Sequence, residues 1–385
     1  MSNTFCILPW IHVYANADGT VHPCCIGDYK YPLGNLQKES LEQVWNNENY
    51  KRLRRNMLEG KECKECTACY SAEQYGSSFR THSNKQFEKY IPVKDTTNAD
   101  GSLDEMTLRY LDVRWSNICN LKCRTCSPTY SSSIAKEEGR DKIYIFAGGE
   151  SNDTLYEQFE QHFDTIEEFY FAGGEPLLMD THYKILNRLI DSGKTDVKLR
   201  YNTNLTSLKY KGVSITDYWR NFSNIQVFAS LDHYGERAEY IREGTNWKTV
   251  EDNIRKIKYE APHVDLQVST VVSVFNVSTL TDFLDYLLED LFDIKKFSPQ
   301  FYNIINPEYY TFDVLKDTQS IIDNLKERSY NKHIDNQLNN VINSLSNSQY
   351  NDNLFKEFRY VTDMYDIKRK KNFSKTFPEL QSMFL

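Results

Sequence analysis

The sequence predicts an α/β protein built on a parallel sheet, either open or curled into part of a barrel. Short apolar runs of strand length recur at 108–115, 166–172, 197–203, 225–231, 264–274 and 297–305. Helical segments fall between most of them, near 180–193, 247–260 and 279–291. Polar or flexible residues stand at the end of one strand after another, which is where α/β sheets gather ligands.

Ahead of that core, residues 1–91 hold six of the nine cysteines. Phe5 to Tyr14 and Thr20 to Cys24 read as strands joined by a hairpin turn at Asp18-Gly19. A helix follows: Ser40 and Gln43 form a capping box, Leu41, Val44 and Trp45 share a face, and Gly60 closes the run. Residues 92–107 form a linker, since Pro92 to Met106 has few apolar groups. Residues 108–306 carry the strand–helix alternation. The stretch 128–165 is long for a βα connection and suits a lid or substrate-facing insert. After Pro307 the chain reads as helices, clearest at Val314–Leu325 and His333–Leu345.

The 385 residues can bury a large core without covalent staples. A formal net charge of −8 makes nucleic acid an unlikely partner. No basic-then-apolar leader and no membrane-length apolar stretch is visible, so a soluble, cytoplasmic protein is expected. In a reducing compartment, clustered cysteines bind metal more often than they pair. The basic runs Lys51–Arg55 and Lys368–Lys371 read as solvated faces.

The sharpest motif is Cys119-x3-Cys123-x2-Cys126, directly after the first core strand. Thiolates are the ligands that iron–sulfur clusters need, and three of them leave one iron open to a non-protein ligand. The second strand ends in Gly173-Gly174-Glu175-Pro176, where bare backbone can approach a ligand closely. The third ends in Asn202-Thr203-Asn204 and the fourth in Ser230-Leu231-Asp232, with Arg242 beyond. Asp232 suits a catalytic acid or base, or equally a cap or turn residue.

The triplet together with Gly-Gly-Glu-Pro resembles the radical S-adenosylmethionine (radical SAM) superfamily. It resembles above all the subset with a SPASM or twitch cluster domain at the N-terminus. The resemblance covers about residues 5–75 and 108–306. It implies a partial (β/α)6 TIM-like barrel at 108–306, a small cysteine-rich α+β cluster domain at 1–91 and a helical extension at 307–385.

By resemblance, Cys119, Cys123 and Cys126 hold a [4Fe–4S] cluster whose fourth iron is chelated by SAM. Gly173, Gly174 and Glu175 meet the methionine amino group. Ser230 and Arg242 hold its carboxylate, Asn204 touches the ribose, and Val271 to Val274 flank the adenine. The chain departs from the family pattern at Thr125, where an aromatic residue often precedes the third cysteine.

Cys6, Gly19 and Cys24 match the opening of a SPASM motif, and Cys63, Cys66 and Cys69 supply its later half. Six cysteines suffice for one auxiliary [4Fe–4S] cluster, with Cys6, Cys24, Cys66 and Cys69 as its ligands and Cys25 and Cys63 as spares. Two C-x2-C pairs also suit a zinc ribbon.

The implied activity is reductive cleavage of SAM to a 5′-deoxyadenosyl radical that abstracts hydrogen from substrate. A peptide or protein side chain is the expected substrate, with a flavodoxin- or ferredoxin-like electron donor. A small-molecule or nucleic-acid substrate, or a non-catalytic Fe–S or zinc protein, are the competing readings.

Overall fold

The computed structural model describes residues 3–73, 78–140 and 153–383. The insert expected at 128–165 therefore lies partly, at 141–152, outside the described residues. Labelled strands are β1 (His12–Ala15), β2 (Thr20–His22), β3 (Gly34–Asn35), β4 (Tyr110–Val113), β5 (Glu168–Phe171), β6 (Lys198–Thr203), β7 (Asn224–Ser230), β8 (Asp265–Val272) and β9 (Gln300–Asn303). The six core strands fall within the six apolar runs of the sequence to within a residue. The chain divides into two compact units, one of Met1–Cys119, Pro128–Tyr201 and Asn221–Ile225, the other of Asn120–Ser127, Asn202–Arg220 and Gln226–Leu385.

In the first unit, β1 and β2 form an antiparallel hairpin, and β3 adds antiparallel to β2. Gly19 at the turn has φ +83°, a left-handed conformation natural to glycine, and Asp18 accepts from the Thr20 N–H at 3.0 Å. On its other side β1 pairs in parallel with β4, Tyr14 facing Asp112. β4, β5 and β6 continue in parallel.

Odd-numbered residues of these strands (Leu111, Val113, Phe169, Phe171, Leu199) are buried and apolar. Even-numbered ones are polar yet enclosed, Asp112 and Glu168 among them. Successive strand residues point to opposite faces, so this alternation separates an apolar floor from a charged one.

One N-terminal expectation is corrected. Phe5–Tyr14 is not a single strand: Leu8–Ile11 forms a helical turn before β1. Pro9 lies in that first turn, where its missing N–H costs nothing. The capping box at Ser40 forms as expected, but the helix stops at Trp45, and Asn47 caps a second one, Glu48–Leu58.

In the second unit β7, β8 and β9 are parallel, with Ser230 opposite Ser269. Helix Trp247–Glu260 buries Trp247, Val250, Ile254 and Ile257, the spacing of a single helical stripe, and Asn246 caps it at Thr249. The C-terminal part is helical, with Gln319–Lys326, Lys332–Asn347 and Asp352–Arg369. It closes over an aromatic cluster in which Phe275, after β8, packs at a tilt against Tyr240, Tyr310, Phe358 and Phe377. Among the described residues no helix is long and apolar enough to cross a membrane.

The basic runs are not wholly solvated. Arg54 is fully buried, donates to the Pro9 carbonyl at 3.0 Å and lies over the Trp45 and Tyr50 rings. Arg369 is buried beside Tyr365. Their flat guanidiniums stack where a more strongly hydrated lysine ammonium would resist burial.

Candidate iron–sulfur and cofactor site

Within the first unit, the chain leaves β4 and reaches Cys119 through a loop fixed by its own polar groups. The Ser116 hydroxyl accepts from the Ile118 N–H at 3.0 Å. Asn117 accepts from the Ser132 N–H at 2.7 Å and donates through its side chain to Pro128 O at 3.1 Å. Ser132 Oγ accepts from the Cys119 N–H at 3.2 Å, and Ser133 Oγ donates to Cys119 O at 2.6 Å.

The Gly-Gly-Glu turn lies against this loop. Glu175 N–H donates to Ile118 O at 2.7 Å, one residue before Cys119. Gly173 and Gly174 both have positive φ, +82° and +55°. A Cβ on Gly174 would stand 2.4 Å from Ile118 O, and one on Gly173 would stand 2.6 Å from Arg114 Cδ. Only glycine fits either position. The Glu175 carboxylate is buried and accepts from Leu177 N–H at 3.1 Å, so it shapes the turn.

Within the second unit, Cys123 and Cys126 belong to one turn, closed by Cys126 N–H to Cys123 O at 3.2 Å. The two-residue strand Lys122–Cys123 pairs antiparallel with Arg242–Glu243, Cys123 opposite Arg242. Arg124, next in sequence, has its guanidinium buried over the Tyr240 ring and paired with Asp366 at 2.5 Å. Asp366 also accepts from the Tyr240 hydroxyl at 2.7 Å, so the last long helix braces the cysteine turn.

Asp232 is fully buried. Its carboxylate meets Arg242 Nε at 2.8 Å and Nη2 at 3.0 Å and also accepts from Val271 N–H at 2.9 Å. Arg242 Nη1 is 3.8 Å from Cys123 Sγ. Asn204 donates to Asn120 Oδ1 at 3.0 Å and accepts from Thr206 N–H at 2.9 Å, holding the approach to the cysteine turn. Ser230 is half-buried at the end of β7. Val271 and Val272 lie in β8, with Ser273 and Val274 just beyond it.

Burial pushes both thiols of the turn up, Cys126 to about 12, while Arg242 works against the rise. Burial also opposes the charge on Arg242, but Asp232 and Cys123 hold its pKa above the usual range.

The N-terminal cysteines sort themselves sharply. Cys6, Cys24, Cys66 and Cys69 line one cavity, walled by Leu8, Met57 and Phe79 and closed on one side by Arg80. The four come from the start of the chain, the end of the β2 hairpin and the Thr67–Glu73 helix with its preceding turn. Burial raises all four thiols, Cys6 to about 12. Backbone N–H groups of Leu8, Ile26 and Arg80 face the sulfurs of Cys6, Cys24 and Cys69 and pull the other way.

Cys25 and Cys63 do not line this cavity. Cys63 Sγ is turned toward Leu53 O and Lys61 O, and Cys25 faces the charged floor of the sheet near Asp112, Arg114 and Arg200. Four enclosed thiols ringed by backbone donors fit a [4Fe–4S] cluster, whose sulfur ligands take such hydrogen bonds. A single zinc ion needs its ligands converging within about 2.3 Å of one point. Among the described residues no three His, Cys, Asp or Glu side chains are gathered for a single ion.

The sequence reading missed the charged floor. Asp112 pairs with Arg114 at 3.0 Å and Glu168 with Arg200 at 3.3 Å, and both guanidiniums lie over the Tyr170 ring at 4.8 and 4.3 Å. Burial pushes the Asp112 carboxyl up to about 6 against the pull of both arginines. The available signal was charge at alternate positions of apolar strands (Asp112, Glu168, Arg200).

A parallel α/β core with three thiols after its first strand, joined to a module that encloses four more, defines a class of iron–sulfur protein. Family models give the particular assignment: residues 6–70 match the SPASM iron–sulfur cluster-binding domain, and residues 113–287 match the radical SAM superfamily. A SPASM domain is thus followed along the chain by a radical SAM domain.

No curated protein matches the sequence. Similar solved structures include anSMEcpe with bound AdoMet, with 21% identity over 57% of this chain and 59% of that one and a TM-score of 0.42. Streptococcus suis SuiB bound to S-adenosylmethionine has 14% identity over 86% and 66%, with a TM-score of 0.38. TYW1 with a lysine–pyruvate adduct has 13% identity over 58% and 72%, with a TM-score of 0.28. This chain thus spans about three fifths of the length of anSMEcpe.

Proposed function

We propose that the chain is a radical SAM enzyme acting on a peptide or protein side chain. Cys119, Cys123 and Cys126 ligate the core cluster, and Cys6, Cys24, Cys66 and Cys69 ligate an auxiliary one. When bound, the core cluster and SAM supply reductive cleavage to a 5′-deoxyadenosyl radical, the species that takes hydrogen from substrate. The observation that carries this reading is the bond from Glu175 N–H to Ile118 O. It fastens the glycine turn directly beside the first cysteine of the triplet.

Gly173 and Gly174 let the turn pack against Arg114 and Ile118, and the backbone so held meets the methionine end of SAM. Ser230 and Arg242 take its carboxylate; Asp232 holds the Nε and Nη2 side of the Arg242 fork, and Nη1 lies toward Cys123. Asn204 and the Val271–Val274 segment flank the nucleoside. The auxiliary site, closed by four thiols, suits electron relay. The SPASM module supports the peptide reading, because proteins of that subset mostly modify peptides. A flavodoxin- or ferredoxin-like protein supplies the electron.

The test is anaerobic reconstitution with iron and sulfide, then reduction with SAM. 5′-Deoxyadenosine should form in the wild type and not in Cys123→Ala. A mass change on a short peptide encoded beside this gene supports the substrate class. Turnover only on a small molecule or nucleic acid overturns that class while leaving the chemistry intact.

A further inference from the structure

Asp232 and Arg242 form a buried ion pair. Replacing such a pair by apolar residues of similar size is often neutral or stabilising, so burial alone gives no reason to keep it. Its geometry is tightly fixed. The carboxylate holds Arg242 side-on through Nε and Nη2 and is itself anchored by Val271 N–H. Asn276 Nδ2 donates to the Asp232 carbonyl at 2.9 Å and to Val271 O at 3.0 Å, tying the end of β7 to β8. Backbone pairing then sets Arg242 opposite Cys123, where cross-strand side chains share a face, with Nη1 3.8 Å from the sulfur.

We infer that Asp232 and Arg242 are a positioning pair that tunes the core cluster through Cys123, over and above the contact of Arg242 with SAM. This inference rests on the proposed ligation by Cys123. The pair is formally neutral, but its positive end is nearest the sulfur. Donors and positive charge at a ligating sulfur stabilise the reduced, more negative cluster and raise its potential. Asp232 limits that effect by neutralising part of the cation.

The two partners therefore have opposite signs. Arg242→Gln removes the positive end and should lower the midpoint potential. Asp232→Asn keeps the shape but leaves the cation uncompensated, and should raise it. The measurement is an EPR-monitored redox titration of the reconstituted full chain without SAM, which removes any effect through SAM binding. Iron and sulfide are assayed in parallel, and the auxiliary signal serves as internal reference.

Opposite shifts support the inference. Unchanged potentials, or shifts in the same direction, in variants with wild-type iron content overturn it. Each variant carries its own predicted sign, so either one alone decides if the other fails to assemble. Full iron in Cys123→Ala would instead defeat the ligand assignment, a separate outcome.

Discussion

The four thiols of the N-terminal cavity come from distant points of the first unit and are walled by apolar side chains, backbone donors and Arg80. Cys123 and Cys126 come from one four-residue turn in the second unit, with the Arg242 guanidinium beside Cys123. An enclosed set of four leaves nothing for a cofactor to occupy. On the proposed ligation, three thiols leave one iron of the core cluster for SAM. Under that proposal, ligand count separates relay of electrons from their delivery to SAM.

The contrast is broken most decisively by removing thiols. Reconstituted wild type should hold about eight irons, as expected of two [4Fe–4S] clusters. Cys6→Ala or Cys66→Ala should bring this to about four while the core signal persists, and Cys126→Ala should remove the other four. Iron assay and EPR check both.

Next in size is the brace on the core turn. Asp366→Asn leaves the Arg124 guanidinium buried without its counter-ion. Removing one partner of a buried pair costs about 3–5 kcal/mol, to be read by chemical denaturation of the apo protein.

Acid should then separate the two units. Burial lowers His12, His182 and His233 to about 3. The unfolded chain takes up these protons near pH 6.5 and the folded one does not. Their stability contribution is therefore complete above 6.5 and is lost as pH falls toward 3, about 2 kcal/mol per histidine by pH 5. His12 and His182 belong to the first unit and His233 to the second, so hydrogen exchange at pH 5 should show the first loosening more.

Gly174→Ala is a finer probe. Its strained backbone and the clash with Ile118 O should cost about 1–3 kcal/mol and weaken SAM binding, as read by calorimetry. Cys63→Ser should be the smallest change, leaving the iron content as it was.

Much of this was legible in the sequence because the signals are local. The six core strands follow apolar runs, the glycine turn is marked by its own sequence, and Cys6, Cys24, Cys66 and Cys69, grouped by resemblance, line one cavity. What escaped depends on contacts between distant residues. Phe5 to Tyr14 is apolar throughout, so nothing but Pro9 marked the helical turn before β1. Arg54 reads as a surface charge until Trp45, Tyr50 and the Pro9 carbonyl are seen to enclose it. The charged floor is invisible residue by residue, since Asp112 and Arg200 gain their meaning from strands that meet only in the folded sheet. Asp232, weighed as an acid, base or turn residue, is instead the counter-ion of Arg242.

The pairing of Arg124 with Asp366 spans 242 residues of chain. During synthesis the cysteine turn emerges long before the helix that neutralises its neighbour. A nascent chain halted anywhere before residue 366 presents Cys123 and Cys126 while Arg124 still lacks its carboxylate. The brace on the turn that bears Cys123 and Cys126 thereby waits for nearly the whole polypeptide.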